Sequence, residues 1–83
     1  MKLRDGVLTA DTDYGIALLD EGSGEYWNLN PTGALVLQTL LEGGTPADAV
    51  QALIERYDID AATAGQDVED LLGGLHSAGL VAR

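Results

Sequence analysis

Few residues in this chain could do chemistry. His76 is the only histidine. A metal site would want a second ligand one helical turn away, and Leu72 and Leu80 stand there instead. His76 therefore reads as a partly exposed helical side chain. Asp67, Glu69 and Asp70 form an acidic cluster, and on a helix residues 67 and 70 share a face. Two neighbouring carboxylates could serve as a general acid/base pair. The same helix offers no nucleophile or base to work with them, so a solvated face is the favoured reading, with ligand contact as the alternative. Ser23 sits in Gly22-Ser23-Gly24, which lacks GxSxG spacing and any triad support. The glycines at 22, 24, 43, 44, 73 and 74 fit neither a phosphate-cradling GxxxxGK(S/T) loop nor GxGxxG. There is no cysteine, which removes disulfides and thiolate metal sites. The expectation is a protein with no catalytic group, no cofactor and no metal.

Binding is what remains, and composition narrows the partner. The 83 residues carry 4 basic and 14 acidic side chains, a net charge of −10. Phosphate contacts need a Lys/Arg face, and Lys2, Arg4, Arg56 and Arg83 are too few and scattered to make one. Nucleic acid is therefore not an expected partner. Strong acidity favours solubility and, beyond a solvated surface, a basic partner. A hydrophobic fraction of 46% without a long polar tract indicates one small folded domain over residues 1–83. The start, MKLRDGVLTAD, has no apolar secretory core, and no apolar run approaches the roughly 18–20 residues of a membrane span. A cytoplasmic protein without a membrane partner is expected.

The elements that must position a binding site are legible. Strands are expected over about residues 3–29 and helices over about 31–79. Leu3–Thr9 is a modest first strand around Gly6, and Asp11-Thr12-Asp13 is turn chemistry. Tyr14–Leu19 is apolar on both alternating faces, as a central strand would be. Glu21-Gly22-Ser23-Gly24 is a hairpin loop, and Glu25–Leu29 follows as the third strand. Short loops make an antiparallel meander whose third strand is an edge. Asn30 can cap the first helix, with Pro31 in its first turn and Gly43-Gly44 at its end. Its leucines and valine cover a broad arc, so it should be central. Thr45 and Asp48 make a variant capping box. Val50, Leu53, Ile54 and Tyr57 then space as one buried stripe, and Val68, Leu71, Leu72 and Leu75 repeat it after a cap at Asp58 or Asp60. Gly79 stops the last helix before a short apolar tail, Leu80-Val81.

Two details bear on binding. Tyr26 and Trp27 must point to opposite sheet faces, so one belongs to the core, and Trp27 is the favoured anchor because of its area. Gly73-Gly74 lies inside the last helix, where each Gly costs about 0.5–1 kcal/mol against Ala. Close packing of another backbone, or a bend, is the favoured explanation, and a trough for a ligand is the alternative.

Laid end to end, these residues resemble a known family. Y-W-x-L-N-P-T-G at 26–33, E-G-G at 42–44, T-x-x-D-A-V-x-x-L at 45–53, R-Y at 56–57 and D-V-x-x-L-L-x-x-L-x-x-x-G-L-V at 67–81 resemble the PqqD-like family. The match covers nearly the whole chain, and its strength lies in the ordered combination of degenerate motifs. The short, free-standing, acidic form looks like the leader-binding protein of a lasso-peptide biosynthetic cluster, a RiPP recognition element. The resemblance implies an α+β fold: a three-stranded antiparallel sheet followed by a three-helix, winged helix-turn-helix-like bundle. It implies a non-catalytic protein that binds the leader of a ribosomally made precursor peptide. The leader would add as a strand beside Glu25, Tyr26, Trp27, Asn28 and Leu29, in a groove walled by Asp67, Val68, Asp70, Leu71, Gly74 and Leu75. A Tyr-x-x-Pro element and a Leu of the leader would fill apolar pockets. The enzyme partner would be a cysteine protease-like leader peptidase, with a cyclase downstream.

Two other readings compete. An acidic carrier of the acyl-carrier type would be a four-helix bundle with a D-S-L arm site, and no D-S-L occurs here. A winged-helix DNA binder would need a basic recognition helix, and residues 60–79 contain no Lys or Arg.

Overall fold

A glycine fixes where the sheet turns. In the computed structural model, which describes residues 1–82, Gly15 has φ +147°. A Cβ there would lie 2.0 Å from the Leu29 carbonyl oxygen, so only glycine lets the strand it opens pass beneath the following junction. That strand, β3 (Gly15–Asp20), is the centre of an antiparallel sheet. β2 (Val7–Thr12) and β4 (Tyr26–Leu29) flank it, in the order β2-β3-β4. Helices α1 (Pro31–Leu41), α2 (Pro46–Tyr57) and α3 (Ala61–Ser77) follow. Two short strands, β1 (Lys2–Leu3) and β5 (Val81–Ala82), pair antiparallel as a second sheet. The α+β order of strands then helices is the one expected.

The N-terminal third departs from the sequence reading in register. The expected strand Leu3–Thr9 is broken at Arg4–Gly6, where Gly6 has φ +89°. Asp11 and Thr12 are strand residues rather than a turn, pairing with Ile16 and Gly15. Ladder pairing on a solvated strand overrides their turn propensity, and the turn moves to Asp13-Tyr14. Tyr14 accordingly leaves the central strand. The terminal tail is extended and closes on β1.

The helices start as their caps dictate. The Asn30 carboxamide oxygen accepts from Gly33 N–H at 2.8 Å. Thr45 and Asp48 exchange hydrogen bonds of 3.1 and 2.9 Å, a full capping box. Of the two candidate caps of α3, Asp60 holds Thr63 N–H at 2.7 Å. Asp58 instead ends α2 in a left-handed conformation.

Two apolar clusters make the core, and α1 feeds both. Ala34 and Leu37 join Val7, Ile16, Leu18, Leu75 and Leu80 under the sheet. Val36 and Leu40 join Ala49, Leu53, Ala64 and Val68 between the helices. The α2 stripe is present at Leu53, with Val50 and Ile54 packed partly buried against the same cluster; Ala49 joins it fully buried, whereas Tyr57 lies exposed at the helix end. The sheet is covered on one face only. Leu19, expected inside, is 40% exposed.

Candidate functional site

β4 has one hydrogen-bonded neighbour, β3, with Leu19, Leu18, Ala17 and Ile16 opposite Tyr26, Trp27, Asn28 and Leu29. Its other edge is free among the described residues. The Glu25 carbonyl accepts from Asp20 N–H at 2.9 Å. Antiparallel pairing alternates, so Trp27 and Leu29 turn their backbone groups toward β3. Tyr26 and Asn28 turn theirs outward. This is a short ladder awaiting a strand, with no Pro or Lys on it to discourage one.

Beside that edge runs a trough whose far wall is α3. One part encloses about 410 Å³ between Asn28, Leu29 and Asn30 on the strand side and Asp67, Asp70 and Leu71 on the helix. Its floor is Thr32, Gly33, Val36 and Leu53. A second part, about 230 Å³, is deeper and more apolar, with Leu18, Trp27, Leu75 and Leu80 around Gly74. Leu29, Asp70 and Leu71 line both parts and make them continuous.

The structure sorts the expected site residues. Asn28, Leu29, Asp67, Asp70, Leu71, Gly74, Leu75 and Trp27 come together around the trough. Val68 does not line it. That side chain is 2% exposed and packs into the helical core, because it faces α1 and α2 rather than β4. Tyr26 and Glu25 also lie outside the trough, on or before the edge strand; Tyr26 turns its backbone groups outward, whereas Glu25 turns its carbonyl to Asp20 of β3. Trp27 is half-buried against the core and also lines the deeper part, so it is both anchor and wall.

Gly73-Gly74 needs correction. A Cβ at either glycine would meet nothing within 4 Å, so no close-packed backbone explains them. At Gly74 the missing side chain is the space of the trough itself. Asn30 on the strand side and the floor residues Thr32, Gly33, Val36 and Leu53 are lining residues that the sequence reading did not place in the site. Asn30 was visible as a cap, but nothing local tells a cap that it also borders a groove.

Asp67 and Asp70 are exposed, and Asp70 accepts from the Gln66 amide at 2.8 Å. Among the described residues the one ion pair is Arg4–Asp20, so the α3 wall keeps its negative charge uncompensated. Asp20 and Asp60 hold their carboxyls below the usual carboxylate range. The Gly22 backbone N–H does this first for Asp20, and Thr63 N–H for Asp60. Both carboxylates serve turns and caps away from the trough. His76 is exposed, its Nδ1 2.8 Å from the Leu72 carbonyl. Among the described residues no cluster could hold a metal ion.

Comparison with known proteins converges on one group. A family model described as coenzyme PQQ synthesis protein D (PqqD) matches residues 15–81. Among solved structures, the chain is similar to a lasso peptide synthetase B1 complexed with the leader peptide. The two are 43% identical with a TM-score of 0.91, over 99% of this chain and 96% of that one. It is also similar to TbiB1 in complex with the TbiA(beta) leader peptide. Identity there is 32% and the TM-score 0.85, over 96% of this chain and 93% of that one. No curated protein matches.

Proposed function

The chain belongs to the PqqD family, and from that premise we propose that it binds the leader of a lasso-peptide precursor and presents it to the enzyme that processes it. The observation that carries the proposal is the free edge of β4 facing a trough walled by α3, on a fold that solved relatives hold in complex with leader peptides. An extended leader would pair with the outward backbone groups of Tyr26 and Asn28. Its alternate side chains would enter the trough over Leu29, Leu71 and Gly74. Backbone hydrogen bonds give such augmentation its affinity, and the pockets give it specificity. Two or three buried apolar leader residues would each contribute about 1.5–3 kcal/mol. Ordering the free leader would cost back roughly 2–5 kcal/mol. These two terms leave at most about 7 kcal/mol, a Kd of about 10 μM, and the backbone hydrogen bonds of the added strand, about 0.5–1.5 kcal/mol each, carry it to about 1 μM, suited to a carrier that must release.

The role is non-catalytic. The partner enzyme is a cysteine protease-like leader peptidase, with a cyclase acting later, in the cytoplasm. Among the described residues no helix is long and apolar enough to cross a membrane. The acyl-carrier reading is at odds with the strand-first architecture, and a DNA-binding reading with an α3 that carries no Lys or Arg.

Calorimetric titration with the leader of the precursor from the same genome tests the reading. Saturable one-to-one binding is expected. No heat and no change in Trp27 fluorescence at 100 μM leader, on the order of a hundred times the expected Kd, would sink it.

A further inference from the structure

Among the described residues Arg4 is the one basic side chain in an ion pair, and its guanidinium bridges the sheet to the end of α3. Nη2 donates to Asp20 Oδ2 at 2.6 Å, and Nε donates to the Gly79 carbonyl at 2.6 Å. Nη1 donates to the Asp5 carbonyl at 3.3 Å, so all three nitrogens are engaged and the planar fork is fixed in orientation. The Arg4 backbone N–H adds a bond to the Leu80 carbonyl at 2.9 Å. Asp20 and Gly79 are each the neighbour of a residue that lines the deeper, apolar part of the trough. Asp20 shares the covered face of β3 with Leu18, two positions away. Gly79 immediately precedes Leu80. Leu18 and Leu80 stand in that pocket with Trp27 and Leu75, around Gly74. Asp20 also organises the turn into β4. Its Oδ1 accepts from Gly22 N–H at 3.0 Å, and its own N–H donates to the Glu25 carbonyl at 2.9 Å.

We propose that Arg4 is a positioning residue for leader recognition: by holding Asp20 and Gly79 at once, it fixes the width of the deeper pocket and so the size of the apolar leader side chain that enters it. The proposal rests on the leader-binding reading given above. Among the described residues no hydrogen bond runs directly from α3 to β3 or β4, and the side-chain bonds of α3 stay within the helix or its cap. The walls otherwise meet through Leu18, Leu75 and Leu80, which share one apolar cluster. Apolar contact is non-directional, so it brings the walls together without setting their spacing. A fork of short, charge-assisted bonds does set it. Arg4 keeps 45% of its side-chain surface in solvent, against 13% for Asp20, so the pair adds little to global stability. Its effect is local, and local spacing matters here, because one methylene in an apolar pocket changes discrimination by about tenfold or more.

The test is a set of double-mutant cycles with the synthetic leader of the precursor from the same genome. Each apolar leader residue is changed to Ala in turn, and affinity is read by calorimetry. Arg4→Lys keeps the charge and loses the fork. Asp20→Asn keeps an oxygen for Gly22 and turns an amide donor toward the guanidinium. Gly74→Leu fills the pocket and marks the leader residue that sits in it. Arg4→Lys is expected to weaken the unaltered leader at least fivefold. It should also reduce the penalty of the Ala change to below threefold at the leader position that Gly74→Leu silences, and at no other. Asp20→Asn should reproduce this pattern, and the two changes together should weaken binding no more than either alone. Unchanged affinity and unchanged penalties in Arg4→Lys overturn the proposal and leave the leader reading standing. So do penalties that change equally at every leader position, the mark of a general loss of structure. A silenced position that differs from the one under Gly74→Leu overturns it too. Should Arg4→Lys not fold, Asp20→Asn decides by the same criteria. A parent that binds no leader removes the leader reading itself, and the proposal with it.

Discussion

Gly74 shows what one residue can do by having no side chain. Its absent Cβ would meet nothing, so the position is a vacancy kept open at the helical cost of glycine. Gly73 bears the same cost yet lines no part of the trough. Gly73→Ala should therefore raise stability by about 0.5–1 kcal/mol, measured by urea denaturation, with leader affinity unchanged. Gly74→Leu should keep or raise the Tm while weakening leader binding at least tenfold, because the side chain would occupy the deeper pocket. Equal leader affinity in Gly74→Leu would place the peptide elsewhere. Asp20 makes a different residue-scale prediction. Hydrogen bonds from Gly22, with help from Arg4 at 2.6 Å, lower its folded pKa below the ordinary 3.9 or so. The unfolded chain then binds more protons in that range, so this contribution is full above about pH 4 and is lost as pH falls through the folded pKa. Asp20→Asn should lower the Tm at pH 7 and flatten the fall in Tm below pH 4, in thermal scans across pH.

At the scale of elements, the edge strand is the part most open to a direct test. Asn28 turns its N–H outward, so Asn28→Pro should leave the β3–β4 ladder and the Tm nearly intact while weakening the leader at least tenfold. Retained affinity in a folded Asn28→Pro variant would reject strand addition. The cap of α2 is independent of this edge. Thr45→Ala should cost about 1 kcal/mol in stability without touching leader affinity. The helices were legible because their signals are local: Asn30-Pro31, Thr45 with Asp48, and Asp60 each satisfy donors within three residues. The edge character of β4 was legible too, since a two-hairpin meander leaves its last strand unpaired on one side. Other features could not be read locally. Asp11 and Thr12 look like a turn, and only pairing with Gly15 and Ile16 makes them strand. Val68 and Leu71 belong to one apolar stripe, and only the angle of α3 against β4 sends Leu71 to the trough and Val68 to the core. The floor of the trough comes from α1 and α2, Leu53 lying far in sequence from the strand that it borders.

The whole molecule is held shut at its ends. Lys2 and Leu3 pair with Ala82 and Val81. The Met1 ammonium donates to the Leu40 carbonyl at 3.3 Å. Arg4 Nε donates to the Gly79 carbonyl at 2.6 Å, while its other arm holds Asp20. Met1 and Leu3 also pack on the core. Removing residues 1–3 should therefore destabilise the fold by about 2 kcal/mol or more, and weaken leader binding only in proportion to the unfolded fraction. Net charge acts on the same scale. With 14 acidic against 4 basic residues, self-repulsion opposes compaction, so raising salt from about 10 to 300 mM should raise the Tm. A fall would mean that the Arg4–Asp20 pair outweighs the general field. The β1–β5 pairing has one more consequence. Both ends of the fold leave from the same corner, with Lys2 directly opposite Ala82. A short linker could join them and new ends could be opened at Gly43-Gly44, giving a circular permutant with β4 and α3 undisturbed. By the same geometry the receptor can be spliced into a surface loop of a larger enzyme like a bead on a closed clasp, which makes recognition a portable unit.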